Sequence, residues 1–140
     1  MYINPLLQNQ YDKQVASWLF VVAGTIFFMI ILGGATRLTE SGLSIVDWNP
    51  IIGIIPPLNE FEWAQTFSRY KEFPEYQKIN IGMSLEEFKS IFYYEYFHRL
   101  LGRLIGLLFL LPFLYFWFKG AIRRSQLPQM VTLFVLGGLQ

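Results

Sequence analysis

Two long apolar runs, separated by a polar stretch, dominate the hydrophobic pattern of this chain. Residues 14–36 contain no charged side chain, and residues 91–118 are apolar apart from charges confined to their first half. About 20 apolar residues in a helix span a bilayer. The pattern therefore predicts transmembrane helices at 16–36 and 91–118, and their length disfavours the alternative of a buried core helix in a soluble protein.

A third apolar segment begins at Pro128 and reaches the last residue, Gln140. The eleven residues 130–140 would form about 16 Å of helix, roughly half of the hydrocarbon thickness of a bilayer. We interpret residues 128–140 as the start of a truncated third transmembrane helix. The chain would then be a fragment of a larger protein, or a truncated gene product.

Individual residues predict local features of the two spans and of the polar connection between them. Gly33 and Gly34, near the end of the first span, favour close helix packing, and Trp18 is typical of an interfacial anchor. The polar connection 37–90 is punctuated by prolines and glycines up to Pro57, which indicates extended chain and turns. Within the second span, Pro112 predicts a kink rather than an end.

Two helix starts are predicted within the polar connection. Asn59 with Glu62, and Ser84 with Glu87, have the spacing of a capping box. They predict short amphipathic helices at 60–72 and 84–90, the second continuing into the transmembrane helix. Both have an aromatic face, which we expect to lie on the membrane surface or over the mouth of the helix bundle.

The distribution of charge predicts the topology. Lys119, Arg123 and Arg124 form a compact basic cluster in the loop 119–127. The connection 37–90 also holds five Lys and Arg residues, but these are diluted by eight Asp and Glu residues. Because basic loops stay in the cytoplasm, we expect 119–127 and the N-terminus 1–15 to be cytoplasmic and 37–90 to be outside. The N-terminus lacks the pattern of a transit or cleaved signal peptide, so the first span should be retained.

The composition excludes several classes of function. Charged residues make up 15% of the chain and aromatic residues 19%, whereas typical soluble domains are about 25% charged. The formal net charge of +1 does not indicate a protein that binds nucleic acid. The absence of cysteine excludes a disulfide, a thiolate metal site and thiol chemistry within this chain.

The candidate chemistry lies at the start of the second span, around His98, the only histidine in the chain. On a helix with Glu95 at zero, His98 falls at about −60°, Arg99 at about +40°, and Gly102 and Gly106 at about −20° and +20°. An acid, an imidazole, an arginine and a two-glycine groove would thus share one face. Ionisable groups at membrane depth cost about 2.5–3.5 kcal/mol each, which favours a functional role.

Each of these residues has more than one interpretation. His98 could be a structural hydrogen-bonding residue, an axial haem ligand, a proton relay or a metal ligand. Glu95 could pair with Arg99 four residues later, which is compatible with a catalytic role. Arg99 and Arg103 could extend to the headgroups or bind an anion such as a propionate. The glycines fit helix packing as well as the close approach of a flat cofactor.

Several longer motifs occur along the chain. They are GGATRLTESGLS at 33–44, WNP at 48–50, PPL at 56–58, YKEFPEY at 70–76, EFKSIF at 87–92, EYFHR at 95–99 and GR at 102–103. From about residue 18 onward, the chain resembles the haem A synthase family in the order and spacing of these motifs. The absence of cysteine from the outer loop is similar to the alphaproteobacterial and mitochondrial branch of that family.

This resemblance implies an all-α integral membrane enzyme of eight helices in two four-helix halves, of which this chain would be the N-terminal part. The enzyme oxidises the C8 methyl of haem O to the formyl group of haem A for cytochrome c oxidase. By resemblance, Glu95 is the catalytic carboxylate and His98 a haem-iron ligand. Arg99 and Arg103 would contact a propionate or orient Glu95. The partner histidine and a prosthetic haem b site would lie outside this chain, so the 140 residues alone should be inactive.

The same resemblance implies the surroundings and partners of the protein. We expect a multi-pass protein of the bacterial inner membrane that receives haem O from the farnesyltransferase that makes it. An electron donor is required, and a homo-oligomer is compatible with the sequence. Two other classes remain open: a b-type electron-transfer membrane cytochrome, and a non-catalytic helical interaction subunit.

Overall fold

The computed structural model describes residues 5–46 and 54–139, with side chains from residue 9 onward. These residues form helices joined by turns and contain no strand. The helices are α1 (Pro5–Leu38), α2 (Glu60–Lys71), α3 (Pro74–Lys78), α4 (Leu85–Phe118) and α5 (Leu127–Gly138). The predicted turns around Pro50 and Gly53, the WNP motif at 48–50 and the position of Met1 lie outside the described residues.

Helices α1 and α4 are the two long helices that the apolar runs predict. Each has 34 residues, or about 51 Å of helix. Both are long and apolar enough to cross a membrane, over Asn9–Leu38 and Leu85–Phe118. Helix α1 begins eleven residues before the predicted span, with Pro5 at the first position, where its missing N–H costs nothing. The membrane boundaries at 16–36 and 91–118 stay predictions.

Both predicted helix starts in the polar connection are confirmed. The Asn59 side chain accepts a hydrogen bond from the Glu62 N–H at 2.9 Å and caps α2. At the second start, the Glu87 carboxylate accepts from the Ser84 N–H at 2.7 Å, and the Ser84 hydroxyl accepts from the Glu87 N–H at 3.3 Å. The second helix runs without a break into the apolar segment, as predicted, and continues past Pro112. The short helix α3, which has Pro74 at its first turn, was not predicted.

The chain divides into two compact units, which we describe separately. The first consists of residues up to Phe28 together with Leu101 onward, and the second of Met29–Leu100. The core of the first unit brings together one aromatic residue of α1 and three of α4. Its buried residues are Val15, Trp18, Val22, Phe109, Phe113, Phe116, Ala121, Ile122 and Met130.

Trp18 has a different role from the interfacial anchor that the sequence predicts. It is only 9% exposed, and its ring lies 5.3 Å from Phe109 and 5.8 Å from Phe116 between ring centres. Its indole N–H donates to the Leu108 carbonyl at 2.7 Å. That carbonyl lies four residues before Pro112, which has no N–H to donate to it. Trp18 therefore supplies, from another helix, the donor that the proline removes.

An ion pair joins the beginning of α1 to the segment after α4 in this first unit. The Arg123 guanidinium donates to the Asp12 carboxylate at 2.6 Å. Both side chains are exposed enough that such a pair contributes at most about 1 kcal/mol. The pair nevertheless brings the polar start of α1 and the basic segment together at the same end of the unit.

The second unit has an aromatic core formed by one face of α2 and the start of α4. Phe88 is fully buried, with ring centres 4.9 Å from Phe67 and 5.0 Å from Tyr70. The aromatic faces of the two helices thus pack on each other, whereas Phe61 remains 77% exposed. Their expected position on the membrane surface or over the mouth of the helix bundle stays a prediction. Burial raises the pKa of the Tyr70 phenol, whose oxygen accepts a hydrogen bond from the Asn80 side chain at 2.7 Å.

Candidate functional site

The site begins where α1 ends in a tight turn. The Ser41 N–H donates to the Thr36 carbonyl at 2.9 Å, and the Glu40 N–H donates to the Arg37 carbonyl at 3.3 Å. These two bonds are those of a Schellman motif, in which the residue just after the helix adopts a left-handed conformation. Here that residue is Glu40, with φ of +53°, although glycine is usual at this position. The turn directs the following chain back toward α4.

The next residues of this loop bury two serines. Ser41 and Ser44 are both fully buried, and Leu43 between them has φ of +67°. The left-handed conformation costs a bulky residue roughly 1–2 kcal/mol. Such a conformation persists only where the surrounding contacts determine it. The contacts that do so here are those of Ser44 and Ile45 with α4.

The carboxylate of Glu95 is the centre of these contacts. One oxygen, Oε1, accepts from Arg99 Nε at 2.9 Å and from Arg99 Nη2 at 2.5 Å. The other, Oε2, accepts from the Ser44 hydroxyl at 2.7 Å and from the Ile45 N–H at 2.9 Å. Glu95 is 6% exposed. Four donors occupy the roughly four acceptor positions of a carboxylate, so its orientation is fully determined.

Arg99 links Glu95 to the loop as well as to its own helix. Besides its two bonds to Glu95, its Nη2 donates to the Ile45 carbonyl at 3.1 Å. The predicted pairing of Glu95 with Arg99 is therefore confirmed. Because Nε and Nη2 are already committed, the geometry favours orientation of Glu95 over the alternative of propionate contact by these atoms.

His98 lies one turn after Glu95 and is half-buried against α1. A Cβ built on Gly33 would lie 3.1 Å from His98 Nε2, so the absent side chain makes room for the imidazole. This supports the packing role predicted for Gly33, whereas Gly34 has open space beside it. Within residues 5–46 and 54–139, neither ring nitrogen makes a hydrogen bond, and no group of three acidic, histidine or cysteine residues could hold a metal ion.

Three residues of the predicted site, Gly102, Arg103 and Gly106, belong to the first unit, whereas Glu95 and His98 belong to the second. All three are half-buried. The two glycines line an apolar cavity of about 490 Å³ between α1, α4 and α5, together with Ala23 and Gly137. The volume falls in the range of small-molecule pockets. None of the described residues that line the cavity is charged, so it suits an apolar group.

Sequence reasoning did not identify Ser44 and Ile45 as residues of this site. Ser44 is 51 positions from Glu95 in the chain, and no local periodicity relates the two. Two signals were available: both residues closely follow the end of the first apolar run, and Ser44 is the last residue of the motif at 33–44. A buried serine in the turn after a membrane helix is a reasonable partner for an acid on the next helix, and this could have been proposed.

Two helices of bilayer length and a buried carboxylate beside a histidine define an all-helical membrane protein with an ionisable site on its second long helix. Comparison with known proteins identifies the family. The model of the cytochrome oxidase assembly protein family (COX15-CtaA) matches residues 16–140, and the chain belongs to this family.

The chain is similar to several curated proteins named Heme A synthase. It is 54% identical over 129 residues to that of Nitrosospira multiformis, which covers 92% of this chain and 36% of the relative. It is 56% identical over 128 residues to that of Rhodospirillum centenum, covering 91% and 34%. For the Chelativorans protein the identity is 55% over 141 residues, covering 99% and 39%. No solved structure matches the chain.

This chain therefore spans little more than a third of the length of these relatives. The membership in the family is consistent with the all-helical architecture and with the two long apolar helices.

Proposed function

We propose that this chain supplies part of an enzyme that oxidises the C8 methyl of haem O to the formyl group of haem A. The relatives described above, named Heme A synthase, support this function. The observation in the structure that carries it is the buried carboxylate of Glu95, held by four donors one helical turn from an imidazole that makes no hydrogen bond to the described residues. The names of the relatives do not favour the alternative of an electron-transfer cytochrome.

The residues of the second unit fit a haem. His98 is half-buried and makes no hydrogen bond to the described residues, so binding to an iron would not cost either ring nitrogen an existing partner there. When bound, the iron centre supplies the oxidation chemistry that a methyl group requires. His98 would bind the iron. Glu95 would hold a water or move protons near the porphyrin, and Arg99 would keep Glu95 in place.

Several finer parts of this function extend beyond the chain. We propose that a second axial ligand and a haem b site lie in other parts of the complete protein, because His98 is the only histidine here. We also propose that haem O is delivered by the farnesyltransferase that makes it, and that reducing equivalents come from a separate donor. A homo-oligomer is compatible with this arrangement.

We further propose that the chain lies in the bacterial inner membrane with its N-terminus in the cytoplasm. The pair between Asp12 and Arg123 supports this topology, because it holds the start of α1 at the same end of the first unit as the basic segment. Basic segments next to transmembrane helices remain on the cytoplasmic side. The connection between α1 and α4 would then face the periplasm.

Cysteine labelling of the membrane-inserted chain tests this topology, since the natural sequence has no cysteine. Ser68 on α2 and Ser125 after α4 are both exposed. We expect a membrane-impermeant maleimide to label Ser68→Cys in intact spheroplasts and to label Ser125→Cys only after the membrane is opened. Labelling of Ser125→Cys in intact spheroplasts would contradict the proposed orientation.

The proposed reaction can be tested in a chimaera. In it, this chain replaces the segment that it matches in the Nitrosospira multiformis protein. A host that makes haem O but not haem A should accumulate haem A when the chimaera is expressed, as measured by chromatography of extracted haems. The His98→Ala variant should lose both haem A and part of the bound haem, because its imidazole is the proposed iron ligand. Undiminished haem A from His98→Ala would remove this residue from the mechanism.

A further inference from the structure

We propose that Ser44 is a positioning residue for Glu95, whose hydroxyl holds Oε2 of the carboxylate in the orientation that the proposed reaction requires. This inference rests on the proposed function of Glu95. It assigns the task of orienting the carboxylate to a residue of the loop after α1.

The geometry around Ser44 offers its hydroxyl two acceptors. Oγ lies 2.7 Å from Glu95 Oε2 and 3.4 Å from the Ile91 carbonyl, one turn earlier on α4. Ser44 is fully buried, so water does not compete for its hydrogen. The bond to the carboxylate is shorter and charge-assisted, which makes it the stronger of the two.

Ser44 is the donor whose hydrogen bond to Glu95 can be removed by a substitution that leaves the backbone and the ion pair in place. The Ile45 N–H belongs to the backbone and donates to Oε2 whatever side chain stands at position 45. Arg99 carries the counter-charge, and its planar fork bonds Oε1 through two nitrogens and the Ile45 carbonyl through one of them.

The backbone of the loop holds Ser44 in place for this task. Leu43 immediately before it adopts a left-handed conformation, and the Schellman turn at Glu40 fixes the direction of the chain. These two constraints keep the Ser44 hydroxyl at hydrogen-bonding distance from Glu95.

The test uses Ser44→Ala, Ser44→Cys and Ser44→Thr in the chimaera, with Ser68→Ala on the exposed face of α2 as the matched control. Alanine removes the hydroxyl, and cysteine keeps the volume with only a weak donor. We expect kcat for haem A formation to fall about tenfold or more in both, with KM for haem O within about twofold, since a hydrogen bond to a charged group is lost at the carboxylate alone. Threonine keeps the hydroxyl and should restore most of kcat.

A second readout does not depend on turnover. The carboxylate stretching band of Glu95 can be assigned in the infrared spectrum of the resting chimaera by its absence from Glu95→Gln. We expect Ser44→Ala and Ser44→Cys to shift this band and Ser68→Ala to leave it unchanged. A stably folded Ser44→Cys protein keeps the test valid if the alanine variant is poorly folded.

The outcomes separate this inference from the proposed function. Wild-type kcat and an unshifted band in Ser44→Cys would overturn the role of Ser44 while leaving Glu95 in the mechanism. A rise in KM without a fall in kcat, or no recovery in a stably folded Ser44→Thr protein, would also overturn it. Undiminished haem A from Glu95→Ala would instead overturn the function of Glu95, on which this inference rests.

Discussion

Replacing Glu95 by alanine is expected to abolish haem A formation in the chimaera, with the rate falling by at least about 100-fold. Loss of a positioned acid or base typically costs 10²–10⁴ in rate, and Glu95 is the only acidic side chain buried among the described residues. The measurement is chromatography of extracted haems over time. The matched control is Glu86→Ala, an exposed carboxylate in the first turn of the same helix, which should retain full activity.

The same substitution should also destabilise the second unit. Glu95→Ala leaves the partly buried Arg99 guanidinium without its counter-ion and removes the acceptor of Ser44 and Ile45. Breaking a buried pair from one side costs up to about 3–5 kcal/mol. Glu95→Gln cannot restore the site fully, because one amide oxygen cannot accept all four bonds. Haem A production by Glu95→Ala at the level of Glu86→Ala would show that the carboxylate is only structural.

Trp18→Phe is expected to destabilise the first unit by about 1–3 kcal/mol, the cost of leaving a buried carbonyl unsatisfied. The indole is the donor to the Leu108 carbonyl, which Pro112 deprives of its helical partner. In a Pro112→Ala background the backbone N–H of residue 112 becomes available to that carbonyl. The penalty for Trp18→Phe should therefore be smaller there, which gives a positive coupling between the two positions.

Reversible unfolding of the four proteins of this cycle in mixed detergent micelles measures that coupling. Trp63→Phe is a suitable control, because Trp63 is equally buried but belongs to the aromatic core of the second unit. Its effect should be the same with proline or alanine at position 112. Equal penalties for Trp18→Phe in both backgrounds would mean that the hydrogen bond to Leu108 contributes nothing to stability.

Much of the secondary structure follows from local rules. Residues 14–36 form an uncharged run long enough to cross a bilayer or a large protein core as a helix. A long helix is therefore predicted there. Asn59 and Ser84 predict helix starts, because the side-chain oxygen of each accepts a hydrogen bond from the backbone N–H three residues later. This contact depends only on neighbouring residues. The end of α1 was harder to place, because Glu40 occupies the position where glycine usually marks the end of a helix.

Part of the candidate site could also be predicted. Helical periodicity alone places Glu95, His98 and Arg99 on one face, and the pair between Glu95 and Arg99 lies within one helix. Ser44, Ile45 and Gly33 come to this face from other parts of the chain. Their approach depends on the packing of α1 and its loop against α4, and no local pattern encodes such a contact.

Local patterns in the sequence predict long apolar helices with an acid, an imidazole and an arginine at the start of the second. These features depend on residues within about one turn of each other or on the length of an apolar run. Long-range packing, in contrast, brings two donors to Glu95 from a loop 50 residues away and lets Trp18 replace the donor lost at Pro112. Buried polar groups must find partners, but which partner lies within reach is settled by packing between distant segments.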